Sequence, residues 1–119
     1  LFGAMAHHPD FGTVDWSSLV ISVGGGGLIG GIAAAARALR PDIEVLGVQA
    51  RRFPAMYNAV KGASLPQGES TLADGMAVGR PGTITRELIS RLVSDVVLVD
   101  EGHLEQAIVL LHSLRFPMR

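Results

Sequence analysis

Four consecutive glycines, Gly24 to Gly27, interrupt the apolar stretch from Leu19 to Arg40, LVISVGGGGLIGGIAAAARALR. Residues without side chains have nothing to pack, and ordering them costs more backbone entropy than ordering any other type. What they offer is main-chain N–H that a bulky group can reach. The loop lies between a short unbroken apolar run, Leu19 to Val23, and an apolar helix pattern beginning near Leu28. A helix N-terminus adds unpaired N–H donors and the positive end of the macrodipole. Strand, glycine loop and helix together make an anion cradle, and the chemistry it suits is gripping a phosphate on a small molecule. Tight packing of helix on sheet is the alternative use of the same glycines.

Other phosphate sites place glycines in this setting. Gly25 to Gly30 satisfies the spacing G-x-G-x-x-G. A dinucleotide site also calls for an acidic residue at the end of the second strand, to hold a ribose hydroxyl. Gln49 stands there, which weakens that reading. A P-loop needs Gly-Lys-Ser/Thr, and none follows the glycines. The remaining reactive side chains are sparse. There is no cysteine, so neither a disulfide framework nor thiolate chemistry is available. His7 and His8 are adjacent, diverge on a helix or a strand, and read as a solvated loop rather than as metal ligands. The single lysine, Lys61, would need burial or a cationic neighbour to act as a nucleophile. At a helix end, in Val60-Lys61-Gly62, it reads as exposed and solvated.

The elements that position these residues alternate. Leu19–Val23 suits a parallel strand covered on both faces. The helix from Leu28 to about Leu39 carries Gly30, Gly31 and Ala33 to Ala36, which allow close approach to a sheet, and Pro41 stops it. Ile43 to Val48 is a second strand. Residues 51–60 read as a helix with Phe53, Met56, Tyr57 and Val60 at helical spacing, closed by Gly62. Residues 62–82 hold five glycines and two prolines, a long loop of the kind that is often functional, with a short turn or helix at Thr71–Met76. Thr83 to Val93 is a helix with Thr83 as N-cap and Ile84, Leu88, Ile89 and Leu92 buried. Val96 to Val99 is a third strand. Asp100 caps a last helix that buries Leu104, Ala107, Ile108 and Leu111. The order β-α-β-α-loop-α-β-α predicts an α/β fold: an open parallel sheet of about three strands with helices on both faces. Two unpaired edges on so narrow a sheet imply a missing partner segment or self-association.

Length and composition bound the rest. At 119 residues the chain is one domain at most, and 48% hydrophobic residues with a mean hydropathy of +0.36 make it globular. A net charge of −1 gives no footprint for nucleic acid or an anionic membrane. Arg37 and Arg40 interrupt the longest apolar run before the roughly 18 residues of a spanning helix. The N-terminal LFGAMAHHPD lacks the pattern of a secretory signal, so the cytoplasm is the expected compartment. The chain does not begin with Met, and is expected to be a piece of something longer.

SVGGGGLIGGIAAAARALRPDIEVLGVQA, followed by STLADGMAVGRPGTITRELISRLVSDVVLVDEGHLEQAI, resembles the threonine/serine dehydratase family. These are pyridoxal-phosphate lyases of the tryptophan-synthase β type, fold type II. The resemblance runs from about Asp15 to Leu111, and its two marks are the tetraglycine loop and the LADG segment ending at Gly75. It implies that 1–119 is a single, incomplete cofactor-binding α/β domain, with pyridoxal 5'-phosphate as cofactor. It also implies that Gly24, Gly25, Gly26, Gly27 and Leu28 hold the cofactor phosphate and that Gly75 lines the pocket. Asp74 is either functional or a bracing carboxylate.

The same resemblance shows what this stretch lacks. The Schiff-base lysine of the family sits in a Ser-Phe-Lys-type motif, and nothing here matches it. The asparagine segment near the cofactor ring, the serine that meets the pyridine nitrogen and the regulatory domain of some relatives are missing as well. Relatives often carry Glu at the position of Gln49, and some use it as a divalent-metal ligand. Gln49 is neutral and Ala55 offers no carboxylate, so no metal and no catalytic residue is assigned. Three readings follow. The chain is a piece of a dehydratase, with little or no lyase activity alone; or a non-catalytic module binding a phosphate-bearing ligand; or a structural protein that self-associates.

Overall fold

The computed structural model describes residues 17–114. His7, His8, the turn pairs Pro9-Asp10 and Phe11-Gly12, and the chain from Arg115 onward lie outside the described residues. The three apolar runs form parallel strands β1 (Ser18–Ser22), β2 (Glu44–Ala50) and β3 (Asp95–Val99), in the order β1-β2-β3. Leu19 lies opposite Val45, and Gly47 opposite Val96. Parallel neighbours cannot be joined by a hairpin and need crossovers. These are α1 (Gly27–Leu39) between β1 and β2, and α2 (Ala55–Lys61) with α3 (Thr83–Leu92) between β2 and β3; α4 (Glu101–Ser113) follows. This is the α/β order and the open three-stranded parallel sheet that the sequence predicts.

Alternation along β2 selects the core face. Val45, Gly47 and Gln49 are buried while Glu44 is exposed. Against them pack Val23, Ile29, Ala33 and Ala36 from the first βα unit, Met56 from α2, Ile89 from α3 and Val96 from β3. The first βα unit packs so close that a Cβ on Gly47 would lie 2.9 Å from Val23 Cγ2 and 3.0 Å from Ile29 Cδ1. Of the small residues in α1, Ala33 and Ala36 enter this core. Gly30 faces Leu88 and Thr85 of α3 rather than the sheet, and Gly31 faces open space.

Several expected details differ. β1 is an edge strand with alternate residues exposed, Val20 to 64%, so it is not covered on both faces. The helix expected at 51–60 starts only at Ala55, since Pro54 takes the N-cap and residues 51–53 turn, with the Phe53 N–H bonded to the Ala50 carbonyl at 2.9 Å. Phe53 and Met56 are nonetheless buried, and Gly62 ends the helix in the left-handed region at φ 66°. The N-cap of α3 is Gly82, not Thr83, and Ile84 is 77% exposed, because Thr85 and Ile89 are the residues turned to α1 and the glycine loop. Asp100 does cap α4, accepting the His103 N–H at 2.9 Å. That helix buries nothing: Leu104 is half-buried, and Ala107, Ile108 and Leu111 are exposed.

The two glycine environments give opposite outcomes. Gly47→Ala overpacks the core and lowers stability by about 1–3 kcal/mol. Gly31→Ala, on an exposed helical face, raises it by about 0.5–1 kcal/mol. Urea unfolding of the two variants checks the pair.

Candidate functional site

The glycine loop leaves the end of β1 and turns directly into α1. Its first fixed point is Val23, whose N–H bonds the Val48 carbonyl at 2.8 Å. Its second is Gly26, the N-cap of α1, at φ 97° in the left-handed region. A side chain there would be strained by conformation and by space, since a Cβ would lie 2.9 Å from both Ile89 Cδ1 and Met56 Cε and 3.0 Å from Thr85 Cβ. The Gly26 carbonyl accepts the Gly30 N–H at 2.9 Å and begins the helix.

Gly25 and Gly27 differ from Gly26. A Cβ on either would meet nothing within 4 Å. Among the described residues, the N–H groups of Gly24, Gly25, Gly26, Gly27 and Leu28 donate no hydrogen bond to the chain. The carbonyl of Gly25, by contrast, is occupied. It accepts the Thr85 hydroxyl at 2.8 Å and the Gly82 N–H at 3.3 Å. The loop therefore turns a carbonyl toward the protein and keeps a row of donors at a helix N-terminus. Such a row can receive an anion. The openness at Gly25 and Gly27 and the uncommitted amides fit a phosphate group.

The LADG segment comes to this loop. A Cβ on Gly24 would lie 3.1 Å from the Gly75 carbonyl oxygen and 3.3 Å from Val78 Cγ2. The two marks that sequence reading singled out are thus in contact, although some fifty residues separate them. The segment is held by a residue of the last helix. Glu101, at the head of α4, accepts the Thr71 hydroxyl at 2.8 Å on one oxygen and the Leu72 N–H at 2.6 Å on the other. Thr71 in turn accepts the Ala73 N–H at 3.2 Å, ahead of the 3-10 turn Asp74–Met76. The Asp74 side chain lies outside the described part. Elsewhere the long loop is tied by Asn58 to both backbone groups of Leu65, and by Arg52 to the Ser70 carbonyl. The signal for Glu101 was present in its type, but its partner thirty residues away was not readable.

Two other flagged residues are used structurally. Lys61 pairs with Asp95 at the start of β3, while the glycine loop follows the end of β1. The hydrogen bond with Asp95 holds the Lys61 ammonium above its ordinary pKa, the opposite of what a nucleophilic amine requires. The same bond, helped by the Val96 N–H, holds the Asp95 carboxyl below its usual value. Gln49 is fully buried. Its Oε1 accepts the Tyr57 N–H at 2.8 Å, satisfying an orphan donor in the first turn of α2, and its Nε2 has no partner. Among the described residues no group of three or more His, Asp or Glu could hold a metal. No helix among them is long and apolar enough to cross a membrane.

The family profile described as pyridoxal-phosphate dependent enzyme matches residues 5–116. The chain belongs to that family, and membership implies pyridoxal phosphate as cofactor. It is 39% identical over 99 residues to an L-threonine ammonia-lyase of Thermotoga maritima, covering 82% of this chain and 25% of that protein. It is 39% identical over 104 residues to the catabolic L-threonine dehydratase TdcB of Escherichia coli K12, covering 82% of this chain and 30% of that one. Among solved structures, a threonine deaminase from T.th. superposes with a TM-score of 0.79 at 29% identity, over 94% of this chain and 41% of that one. Maize serine racemase gives 0.78 at 27% identity, over 91% and 35%. The chain thus spans about a quarter to a third of the length of the curated relatives it matches.

The Lys61–Asp95 pair gives a pH signature. Lys61, its folded pKa raised, contributes stability that is complete below 10.5 and lost as pH climbs through the raised value. Asp95, its folded pKa lowered, contributes stability present above 3.8 and lost as pH falls through the lowered value. Asp95→Asn therefore lowers the Tm slightly near neutral pH, and the gap to wild type closes at both alkaline and acid extremes. Thermal melts across that range check it.

Proposed function

We propose that this chain is part of a pyridoxal-phosphate-dependent threonine/serine dehydratase, an amino-acid ammonia-lyase, and supplies its phosphate grip. In this reading the N–H groups of Gly24, Gly25, Gly26, Gly27 and Leu28 hold the cofactor phosphate, and Gly75 lines the pocket beside them. The observation that carries it is the row of uncommitted amides, with open space at Gly25 and Gly27 and Gly75 against Gly24. The match to threonine ammonia-lyases and dehydratases supports the substrate class.

When bound, the cofactor supplies an electron sink for elimination at an amino acid. This chain's residues bind and orient its phosphate end. A dianion at a helix N-terminus gains charge-assisted hydrogen bonds from several amides at once. Gly26 keeps that row in place, since its left-handed φ sets the angle between loop and α1. Lys61, held by Asp95, plays no part in the chemistry. The chain by itself has no lyase activity, no catalytic residue is assigned within it, and it holds no metal. Its partner is the remainder of the enzyme or a second copy in the cytoplasm. The exposed apolar residues Val20, Val97 and Ile108 to Leu111 support such a cover.

Titration of the chain with inorganic phosphate, pyridoxal 5'-phosphate and pyridoxal tests the proposal. Both phosphate-bearing ligands raise the Tm, pyridoxal does not, and borohydride traps no adduct at Lys61. Gly25→Ala leaves unaided stability within about 0.5 kcal/mol, because its methyl meets no protein atom. It weakens phosphate binding roughly tenfold by standing in the loop's open space. Equal stabilisation by pyridoxal and its phosphate would defeat the assignment.

A further inference from the structure

We infer that Thr85 is a positioning residue for the glycine loop: by holding the Gly25 carbonyl, it sets the direction of the Gly26 N–H. The inference rests on the phosphate reading of the loop and concerns how α3, some sixty residues away in sequence, keeps that loop in its receiving state.

The argument starts from one peptide unit. The Gly25 carbonyl and the Gly26 N–H belong to the same planar group, and no peptide bond among the described residues is cis. In a trans peptide the two bonds point in opposite directions. The Thr85 hydroxyl donates to the Gly25 oxygen at 2.8 Å, and the Gly82 N–H reaches the same oxygen at 3.3 Å. Both donors come from the head of α3, so the carbonyl faces α3 and the Gly26 N–H faces away from it. Glycines on both sides put no Cβ in the way of a flip of this peptide, so its direction depends on the hydrogen bonds that hold it. A flip would turn the Gly25 carbonyl, an acceptor, toward the space where an anion would sit.

Thr85 is well placed for this role and poorly explained by others. It is the third residue of α3, not its N-cap, so α3 does not need its hydroxyl for capping. Its hydroxyl has an alternative acceptor in the Gly82 carbonyl at 3.1 Å, a local bond of the kind threonine commonly makes. The shorter contact, however, is the long-range one to Gly25. The side chain also packs: its Cβ would lie 3.0 Å from a Cβ on Gly26, and its Cγ2 3.9 Å from one on Gly30. Packing and hydrogen bonding are therefore separate contributions, and two substitutions divide them. Thr85→Val keeps the shape and removes the hydroxyl. Thr85→Ser keeps the hydroxyl and removes the methyl.

The test measures Kd for inorganic phosphate, pyridoxal 5'-phosphate and pyridoxal in the wild-type chain and both variants, with the Gly26 amide followed by NMR. Thr85→Val weakens both phosphate-bearing ligands roughly five- to tenfold, from loss of the shorter of the two hydrogen bonds on the Gly25 carbonyl, which leaves the long Gly82 contact alone to hold it. It leaves pyridoxal unchanged and moves the Gly26 amide resonance in the ligand-free chain. Thr85→Ser stays within about twofold of wild type. Should Thr85→Val not fold, Thr85→Ala carries the same test. If wild type binds phosphate and Thr85→Val binds it equally well, the positioning role is overturned while the cradle stands. If Thr85→Ser is the weaker binder, packing and not the hydroxyl is responsible, and the inference also falls. If wild type binds neither phosphate-bearing ligand, the phosphate reading itself is refuted and the inference goes with it.

Discussion

Everything near the candidate site is arranged around Gly26, a position where a side chain would be strained and crowded. At Gly26 the chain takes a left-handed turn while α2 and α3 press in through Met56, Ile89 and Thr85. A backbone conformation that favours glycine and a space already crowded by three side chains coincide at one residue. That coincidence fixes where β1 ends, where α1 begins and how the row of amides between them lies. The core and the site are therefore not separate constructions. Ile89 and Met56 are among the most buried side chains of the fold, and they abut the loop that faces outward.

How much of this was readable depended on the range of the interaction concerned. The glycine run, the apolar strands and the Pro41, Gly62 and Asp100 boundaries are local signals, and each formed where its chemistry required. The LADG segment could be singled out, and its contact with Gly24 could be hoped for, but only folding brings the Gly75 carbonyl to that glycine. Thr85 and Glu101 were invisible as site-building residues. Both act through partners far away in sequence, which no local pattern reveals. Burial failed in a consistent direction. Ile84, Ile108 and Leu111 fall at helical spacing, yet spacing says only that a face is apolar and not that anything covers it.

Residues with a chemical reputation turn out to hold the scaffold. Lys61 fastens α2 to the start of β3 through Asp95, an exposed pair of the kind that contributes little to stability. Gln49 sits where a dinucleotide fold would place a ribose-binding acid, but it is wholly buried and caps α2 from the side through the Tyr57 N–H. A neutral amide suits that task, because a carboxylate in the same dry position would carry a charge without a counterion. The remaining Nε2 is the cost of the arrangement, a donor left without a partner.

The last helix is organised differently from the rest. α4 spans Glu101–Ser113 and has no fully buried side chain; among the described residues, Glu101 is its side chain that hydrogen-bonds the long loop, and Leu104 is half-buried. Thirteen residues are close to the lower limit at which a helix survives in water without tertiary support. Its distal turns, with Ile108 to Leu111 exposed, have little burial to hold them and open at lower free energy than the core. Its proximal turn does not have that freedom. Unwinding there releases Glu101 and with it Thr71 and Leu72, so a change at the head of α4 reaches the long loop beside the glycines without first disturbing a strand.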